Sequence, residues 1–193
     1  MTAKQIVPAR PALFVLGLAL CAVAACRDAA PDAAAAPRAA DTVRVTVRDT
    51  LVTLARGTAR STISLGESIN SAGGFASTLL DRRWGGDGRF YLLVETTGLS
   101  RPHAPHGLCG AGEEMDITWL AVDSAMQLRK RETVLVESCL QNRVPVSASA
   151  KRTGEPWSTS FHIPGDSIRT ASYDRRHPER GLRVTTEPDT TAL

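Results

Sequence analysis

Residues 109–139, CGAGEEMDITWLAVDSAMQLRKRETVLVESC, predict a β-hairpin with Cys109 and Cys139 at its two ends. Asp123 and Ser124 stand at its centre, and short polar side chains favour a turn because they hydrogen-bond to the nearby backbone. The second strand contains residues 133–136, whose β-branched and apolar side chains are typical of a buried strand. One face of the first strand is predicted to be apolar and carries Met115, Ile117, Trp119 and Ala121.

The predicted hairpin brings the two cysteines together. A reversal at Ser124 places residue i opposite residue 248 − i, so Cys109 faces Cys139, although a bulge in residues 129–132 would shift this register. A bond between the cysteines would stabilise the fold by about 3–4 kcal/mol in the chain-entropy model. The alternative is two separate buried thiols, and the compartment in which the chain folds decides between them.

The N-terminal residues predict export. Lys4 and Arg10 give a positively charged start, and residues 12–25 are apolar or small, with no charge. This apolar segment is shorter than the ~20 residues that a membrane-spanning helix needs. It has the length of the apolar part of a secretory signal, so we predict a signal peptide at residues 1–25. The alternative is a buried N-terminal helix.

Val23-Ala24-Ala25-Cys26 resembles the lipobox of bacterial lipoproteins, an aliphatic residue and two small residues followed by a cysteine. Cys21 does not fit this pattern, because the Leu20 before it is too bulky. The resemblance implies that Cys26 becomes the mature N-terminus and carries acyl chains such as palmitate. Aspartate directly after the cysteine is associated with inner-membrane retention in these proteins. Arg27 stands there, so the resemblance implies an outer-membrane anchor facing the periplasm.

The remaining chain divides into three predicted parts. Residues 26–41 would be the lipidated cysteine and a flexible tether, because Pro31 and Pro37 interrupt an alanine-rich run. Residues 42–187 are long enough for one domain with its own core. Residues 188–193 are predicted to be a loose tail.

Removal of the signal peptide changes the cysteine and charge counts. With Cys21 removed and Cys26 lipidated, Cys109 and Cys139 remain in an oxidising compartment, and we predict that they form a disulfide. Lys4 and Arg10 are two of the 23 basic residues, which leaves 21 against 20 acidic residues. No long basic run accompanies aromatic residues, so no nucleic-acid partner is expected. The lipid supplies a membrane partner, and any further partner would be an envelope protein or glycan.

Short strands separated by Gly, Pro and Asp turns predict an all-β fold, a single antiparallel β-sandwich or barrel-like domain. Residues 42–48 alternate valine with polar side chains, which is typical of a half-buried strand. Residues 89–96, RFYLLVET, form the strongest predicted strand, and their apolar run favours a central position. Residues 76–84 are the one place where we expect a short helix.

The sequence offers few candidates for chemistry. His103 and His106 precede Cys109 at spacings that zinc or copper ligands use, but the nearby prolines favour a surface loop, and a disulfide would occupy Cys109. We therefore predict no metal site and no cofactor. Glu113 and Glu114 are adjacent on a strand and would point to opposite faces. No Gly-x-Ser-x-Gly motif is present, and no nucleophile stands in a suitable context for His162 or His177.

The residues around the two cysteines carry a further, looser resemblance. GLCGAGEE at residues 107–114 and ESCLQ at residues 137–141 are similar to uncharacterised proteobacterial lipoproteins with Cys-Gly-x-Gly near the start of a hairpin. This resemblance supports the disulfide and implies nothing about function. The sequence thus predicts a lipid-anchored envelope protein with a structural or binding role rather than an enzyme. The alternative is a small metal-binding protein or enzyme that uses the His103/His106 loop.

Overall fold

The computed structural model describes residues 42–65, 73–100, 112–146 and 156–190, and most of these are in β-strands. A 3-10 helix at Pro178–Arg180 is the one helical element in these ranges. The predicted all-β fold class is confirmed. The strands are β1 (Arg44–Arg48), β2 (Leu51–Arg56), β3 (Ala59–Ser64), β4 (Ala76–Trp84), β5 (Phe90–Leu99), β6 (Glu113–Val122), β7 (Leu128–Ser138), β8 (Val144–Pro145), β9 (Trp157–Ile163), β10 (Ser167–Tyr173) and β11 (Leu182–Pro188).

The strands form three antiparallel sheets, and each sheet consists of strands that follow one another in the chain. The N-terminal sheet has the order β1-β2-β3, and the central sheet has the order β4-β5-β6-β7. The C-terminal sheet has the order β11-β10-β9-β8. In the described part of the chain, no helix is both long enough and apolar enough to cross a membrane.

Two apolar cores lie on the two faces of the central sheet. The first core joins that sheet to the N-terminal sheet, and it contains Val43, Val52, Leu54, Ile63, Leu65, Phe90, Leu92, Val94, Leu120, Val122 and Met126. The second core joins it to the C-terminal sheet, and it contains Tyr91, Leu93, Ile117, Trp119, Ala121, Val136, Trp157, Phe161, Ala171 and Tyr173. The domain is therefore a β-sandwich of three stacked layers.

Strand β5 occupies the middle of this arrangement. It pairs with β4 on one side and with β6 on the other. Leu92 faces the first core and Leu93 the second, and both are fully buried. The continuous apolar run FYLLV at residues 90–94 thus belongs to a strand that is covered on both faces. Its central position in the sheet is as the sequence predicts.

Strands β6 and β7 form the predicted hairpin, but the predicted register is wrong. The 248 − i rule places Trp119 opposite Arg129, whereas the structure pairs Trp119 with Glu132. Asp123 Oδ1 accepts hydrogen bonds from the amides of Ala125 and Gln127, both at 2.9 Å, so the turn is wider than three residues. Register shifts near both ends of β7 also add unpaired residues to that strand, as a β-bulge does.

Residues 76–84 form β4, and the expected short helix is wrong. The ladder with β5 shifts register between Leu79 and Asp81, so the strand contains a bulge at Leu80. Leu79 packs on the first core and Leu80 on the second, as adjacent residues of a strand do. The bulge shifts the residues after Leu80 by one position, so Asp81 pairs with Leu93. The bulge breaks the alternation of polar and apolar residues by which a strand is identified in a sequence.

The chain remains paired to its last described residues. Strand β11 runs from Leu182 to Pro188, and the Asp189 amide donates to the Asp166 carbonyl oxygen at 2.8 Å. The predictions for residues 1–41, including the signal peptide and the tether, lie outside the described residues. Residues 191–193 of the predicted tail lie outside them as well.

Leu93→Ala should lower the free energy of unfolding by about 2–5 kcal/mol, because a fully buried leucine between two layers leaves a cavity when it is shortened. Leu128→Ala is the matched control, since Leu128 is 39% exposed at the start of β7. It should change stability by less than about 1 kcal/mol. Urea denaturation followed by tryptophan fluorescence measures both. Equal losses would contradict the burial of β5 on the face that Leu93 turns to the second core.

Candidate functional site

Residues 174–182 connect β10 to β11 and form a structured segment that we call the strap. At its start, Asp174 Oδ1 accepts a hydrogen bond from the Arg176 amide at 2.9 Å. Pro178 then begins the 3-10 helix, and its fixed φ suits the first helical position. Gly181 follows the helix with φ +73°, a conformation that glycine adopts without a steric penalty. The local sequence thus defines the path of the strap.

Trp119 on β6 holds the middle of the strap. Its indole Nε1 donates a hydrogen bond to the Pro178 carbonyl oxygen at 3.0 Å. Both residues are buried, so this bond satisfies a donor and an acceptor that are removed from water. The ring of Trp119 also stacks on Tyr91, with centroids 5.5 Å apart and an angle of 22° between the planes.

Glu132 on β7 holds the end of the strap. Its Oε2 accepts a hydrogen bond from the Leu182 amide at 2.8 Å. The same carboxylate lies so close to Gly181 that a Cβ at this position would collide with it. Lys130 Nζ lies 2.7 Å from Glu132 Oε1 and 5.6 Å from the centre of the Trp119 ring. The positive φ therefore favours glycine at position 181, and any larger residue would also displace the Glu132 carboxylate from the Leu182 amide.

Arg83 on β4 holds the start of the strap. Its Nη1 donates to the Arg175 carbonyl oxygen at 2.6 Å. Its Nε and Nη2 donate to the two carboxylate oxygens of Asp81 at 2.7 and 2.8 Å, which fixes the plane of the guanidinium. Because β4 and β7 are the two edge strands of the central sheet, the three contacts hold the strap across the full width of that sheet.

Two buried tyrosines belong to the core next to the strap. Burial, and then the 2.7 Å hydrogen bond that its hydroxyl donates to Asp87 Oδ2, together raise the pKa of Tyr91 to about 12. The same hydrogen bond lowers the pKa of Asp87. Burial also raises the pKa of Tyr173, and the nearby Asp81 carboxylate acts in the same direction. Both phenols are therefore neutral at physiological pH.

The strap and the C-terminal sheet border a groove that is open to solvent and has a volume of about 400 Å³. We call it the arginine groove. Arg176 and Arg180 come from the strap, while Arg183 and Ser172 are paired neighbours on β11 and β10. The groove is lined by Pro156, Ser172, Asp174, Arg176, Arg180, Gly181 and Arg183.

The three arginines of the groove carry uncompensated charge. Their guanidinium groups are exposed, and none has an ion-pair or hydrogen-bond partner within the described ranges. Asp174 is the one carboxylate among the described lining residues, and the Arg176 amide already occupies its Oδ1. The lining is therefore net positive, and its positive groups are available to a ligand.

This arrangement can bind an anion. A guanidinium group is planar and can donate two parallel hydrogen bonds to a carboxylate or a phosphate. The backbone that carries Arg176 and Arg180 is held by the strap contacts, so a ligand would not have to order it. In the part of the chain that the structure describes, no three His, Cys, Asp or Glu side chains form a cluster that could hold a metal ion.

The structure describes only some of the residues that the sequence singles out. Cys26, His103, His106 and Cys109 lie outside the described residues, so the lipid site, the candidate metal loop and the disulfide pairing stay predictions. Cys139 lies in the described part of the chain and is disulfide-bonded.

The adjacent carboxylates of β6 occupy different environments. Glu113 is exposed, while Glu114 is 1% exposed and its Oε1 accepts a hydrogen bond from the Ser100 hydroxyl at 2.7 Å. The Leu140 amide also donates to Glu114 Oε1, at 3.4 Å. Glu114 therefore links three separate segments of backbone and does not form a carboxylate pair with Glu113.

The two described histidines each contact one carboxylate. His162 Nδ1 lies 3.0 Å from Asp189 Oδ2, and this contact connects β9 to the residue that follows β11. His177 Nδ1 lies 3.3 Å from Glu179 Oε1 within the strap. Both histidines thus act in local contacts on the C-terminal part of the chain.

The sequence interpretation missed the arginine groove. Taken alone, residues 174–180, DRRHPER, indicate a charged loop whose side chains are solvated. The available signal is the density of arginines in DRRHPERGLR between two strands, together with a proline and a glycine that shape the connection. The arginines line one groove only because the strap folds against the central sheet. The local sequence does not predict this packing.

Comparison with protein-family models, with curated proteins and with solved structures finds no match to this chain. What the groove binds must therefore be inferred from its own side chains.

The folded protein should resist ionisation of its tyrosines at alkaline pH. Tyr91 and Tyr173 are the two tyrosines of the chain, and the pKa of each is raised. Near pH ~11 the folded protein should show little tyrosinate absorbance, whereas in guanidinium chloride both phenols should ionise around pH ~10. A tyrosine whose pKa is raised on folding contributes to the free energy of unfolding. For Tyr91 this contribution is fully present below the pKa of the unfolded state and is lost as the pH rises through about 12.

Tyr91→Phe provides the control for this titration. The variant retains Tyr173, so the remaining signal should still appear above the range seen in denaturant. Tyrosinate absorbance with an ordinary midpoint in the folded protein would contradict the burial of both phenols.

Proposed function

We propose that this chain is a lipid-anchored protein of the bacterial cell envelope whose β domain binds an anionic ligand in the arginine groove. Support for the anchor comes from the sequence, in which an apolar segment ends in Val23-Ala24-Ala25-Cys26. Acyl chains on Cys26 would hold the domain at the outer membrane, facing the periplasm, on the tether of residues 26–41.

One observation carries the binding role: three guanidinium groups line one groove, and none has a partner among the residues that the structure describes. Like charges that converge repel one another, so this arrangement is unfavourable in the free protein. A bound anion would relieve that repulsion. If these arginines were only solvated surface residues, there would be no reason for all three to line the same groove.

The side chains and the size of the groove define the ligand class. Arginine favours phosphate and carboxylate groups, because its donors match their paired oxygens. A cavity of about 400 Å³ falls within the range of small-molecule sites. The expected ligand is therefore an organic phosphate or carboxylate, either a lipid headgroup or a soluble metabolite of similar size. Because the arginines are exposed, salt should weaken binding.

The lipid anchor can be tested with full-length protein expressed in a bacterium. Cys26→Ser should abolish the incorporation of radiolabelled palmitate, because no other cysteine fits the lipobox pattern. Cys21→Ser is the matched control and should retain the label. Label that persists in Cys26→Ser would refute the proposed anchor.

The groove can be tested by calorimetry on the full-length chain in neutral detergent at low ionic strength. The triple variant R176Q/R180Q/R183Q should bind glycerol 3-phosphate and short-chain phosphatidylglycerol at least ~10-fold more weakly, because three charge-assisted contacts are lost. The control R44Q/R48Q/R60Q removes the same charge from exposed positions of the N-terminal sheet. It should bind both compounds almost as the parent protein does.

The two compounds separate the possible sources of the anion. If glycerol 3-phosphate and phosphatidylglycerol both bind, and both bind more weakly to the triple groove variant, the groove recognises the phosphate group itself. Binding of phosphatidylglycerol alone supports a headgroup site that also needs the glycerolipid. Equal losses in the two triple variants would show attraction by net charge and would overturn the groove.

A further inference from the structure

Strand β11 is a free edge of the C-terminal sheet. Among the described strands it pairs only with β10, and its residues 183–188 are all exposed. An exposed edge strand presents backbone donors and acceptors to which another strand can add. Which strand can add to β11 depends on the backbone groups of β11 that point outward and on the charges of the side chains beside them.

Two contacts show which backbone groups of β11 point outward. The Asp189 amide donates to Asp166 on the β10 side, so alternate residues before it also face β10. The Leu182 amide points the other way and donates to Glu132. By this alternation, the amide and carbonyl groups of Val184 and Thr186 face away from β10, and no described residue pairs with them.

We propose that β11 pairs antiparallel with β11 of a second copy of this chain, about a two-fold axis at Thr185. This register places Val184 opposite Thr186 of the other copy, which satisfies the outward backbone groups of both strands. It also places Arg183 opposite Glu187 of the other copy, twice by symmetry. Directly opposite side chains of opposite charge stabilise such a pair of strands.

Charge complementarity selects a second copy as the partner. Arg183 and Glu187 stand two residues to either side of Thr185, and neither side chain has a partner in the described ranges. Strand β1, RVTVR, is also an edge strand, but a two-fold pair about its central Thr46 would bring Arg44 opposite Arg48. Like charges at these positions oppose self-pairing. The charges of β11 thus favour pairing with a second copy, whereas those of β1 oppose it, so β1 supplies a matched control.

The pairing has a consequence for the arginine groove. Arg183 and its cross-strand neighbour Ser172 lie on the same face of the C-terminal sheet and both line the groove. A two-fold axis perpendicular to the sheet keeps both grooves on the same side of the joined sheets. The dimer would therefore turn both grooves toward one surface, with Arg183 paired to Glu187 of the other copy and with Arg176 and Arg180 left for an anion. The pairing itself rests on β11 and holds whether or not the groove binds an anion.

A single cysteine at the proposed axis tests the pairing in the full-length chain. Thr185→Cys should form a disulfide between two copies under mild oxidation, because side chains opposite each other in such a pair lie within about 4.5–5.5 Å. Thr46→Cys on β1 is the control and should give at least ~10-fold less cross-linked dimer, because the like charges beside it oppose pairing. Non-reducing gels measure both.

Charge exchange then tests the register. Adding Glu187→Arg to Thr185→Cys should lower the cross-linked fraction about tenfold, because two attractive pairs become repulsive. The further exchange Arg183→Glu should restore it, because side chains of opposite charge again face each other across the axis. Circular dichroism checks that each variant folds. Equal cross-linking through Thr185→Cys and Thr46→Cys, or no response to Glu187→Arg, would overturn the proposal.

Discussion

A strand with no solvent-facing side must be covered twice, and β5 is such a strand. Leu92 and Leu93 are adjacent in the sequence, point in opposite directions and are both fully buried. Burying a leucine side chain contributes about 1.5–3 kcal/mol, and leaving either face of the strand in water would forfeit several such contributions. The N-terminal sheet covers one face and the C-terminal sheet covers the other. The three-layer architecture follows from this requirement.

The second core needs polar contacts at its boundary as well as apolar packing. The strap crosses the central sheet from β4 to β7, and its backbone carbonyl and amide groups would be costly to bury without partners. Arg83, Trp119 and Glu132 provide those partners, one from each of three strands. The same contacts fix the backbone that carries Arg176 and Arg180. The position of the groove arginines is thus set by residues that are distant in the sequence.

The sequence predicts those features that depend on local patterns. The all-β class, the central position of β5 and the β6–β7 hairpin follow from periodicity and turn residues. The 248 − i register is wrong because the turn is wider than three residues and because β7 contains bulges near both ends. The helix at residues 76–84 is wrong because the bulge at Leu80 interrupts the alternation of a strand. The groove was missed because Arg176, Arg180 and Arg183 converge only after the strap has packed on Trp119.

Each of the three sheets is a contiguous segment of chain, and this division affects how stability is distributed. The two cores share the central sheet but consist of different side chains, so substitutions in the first core and in the second should combine almost additively. Several hairpins, such as β1–β2, β2–β3 and β9–β10, also close at a small entropic cost, because only two or three residues join their strands. The central sheet can pair its own strands before either outer layer is in place. An outer layer can in turn open without separating the strands beneath it, which makes partial unfolding of the domain a layer-by-layer process.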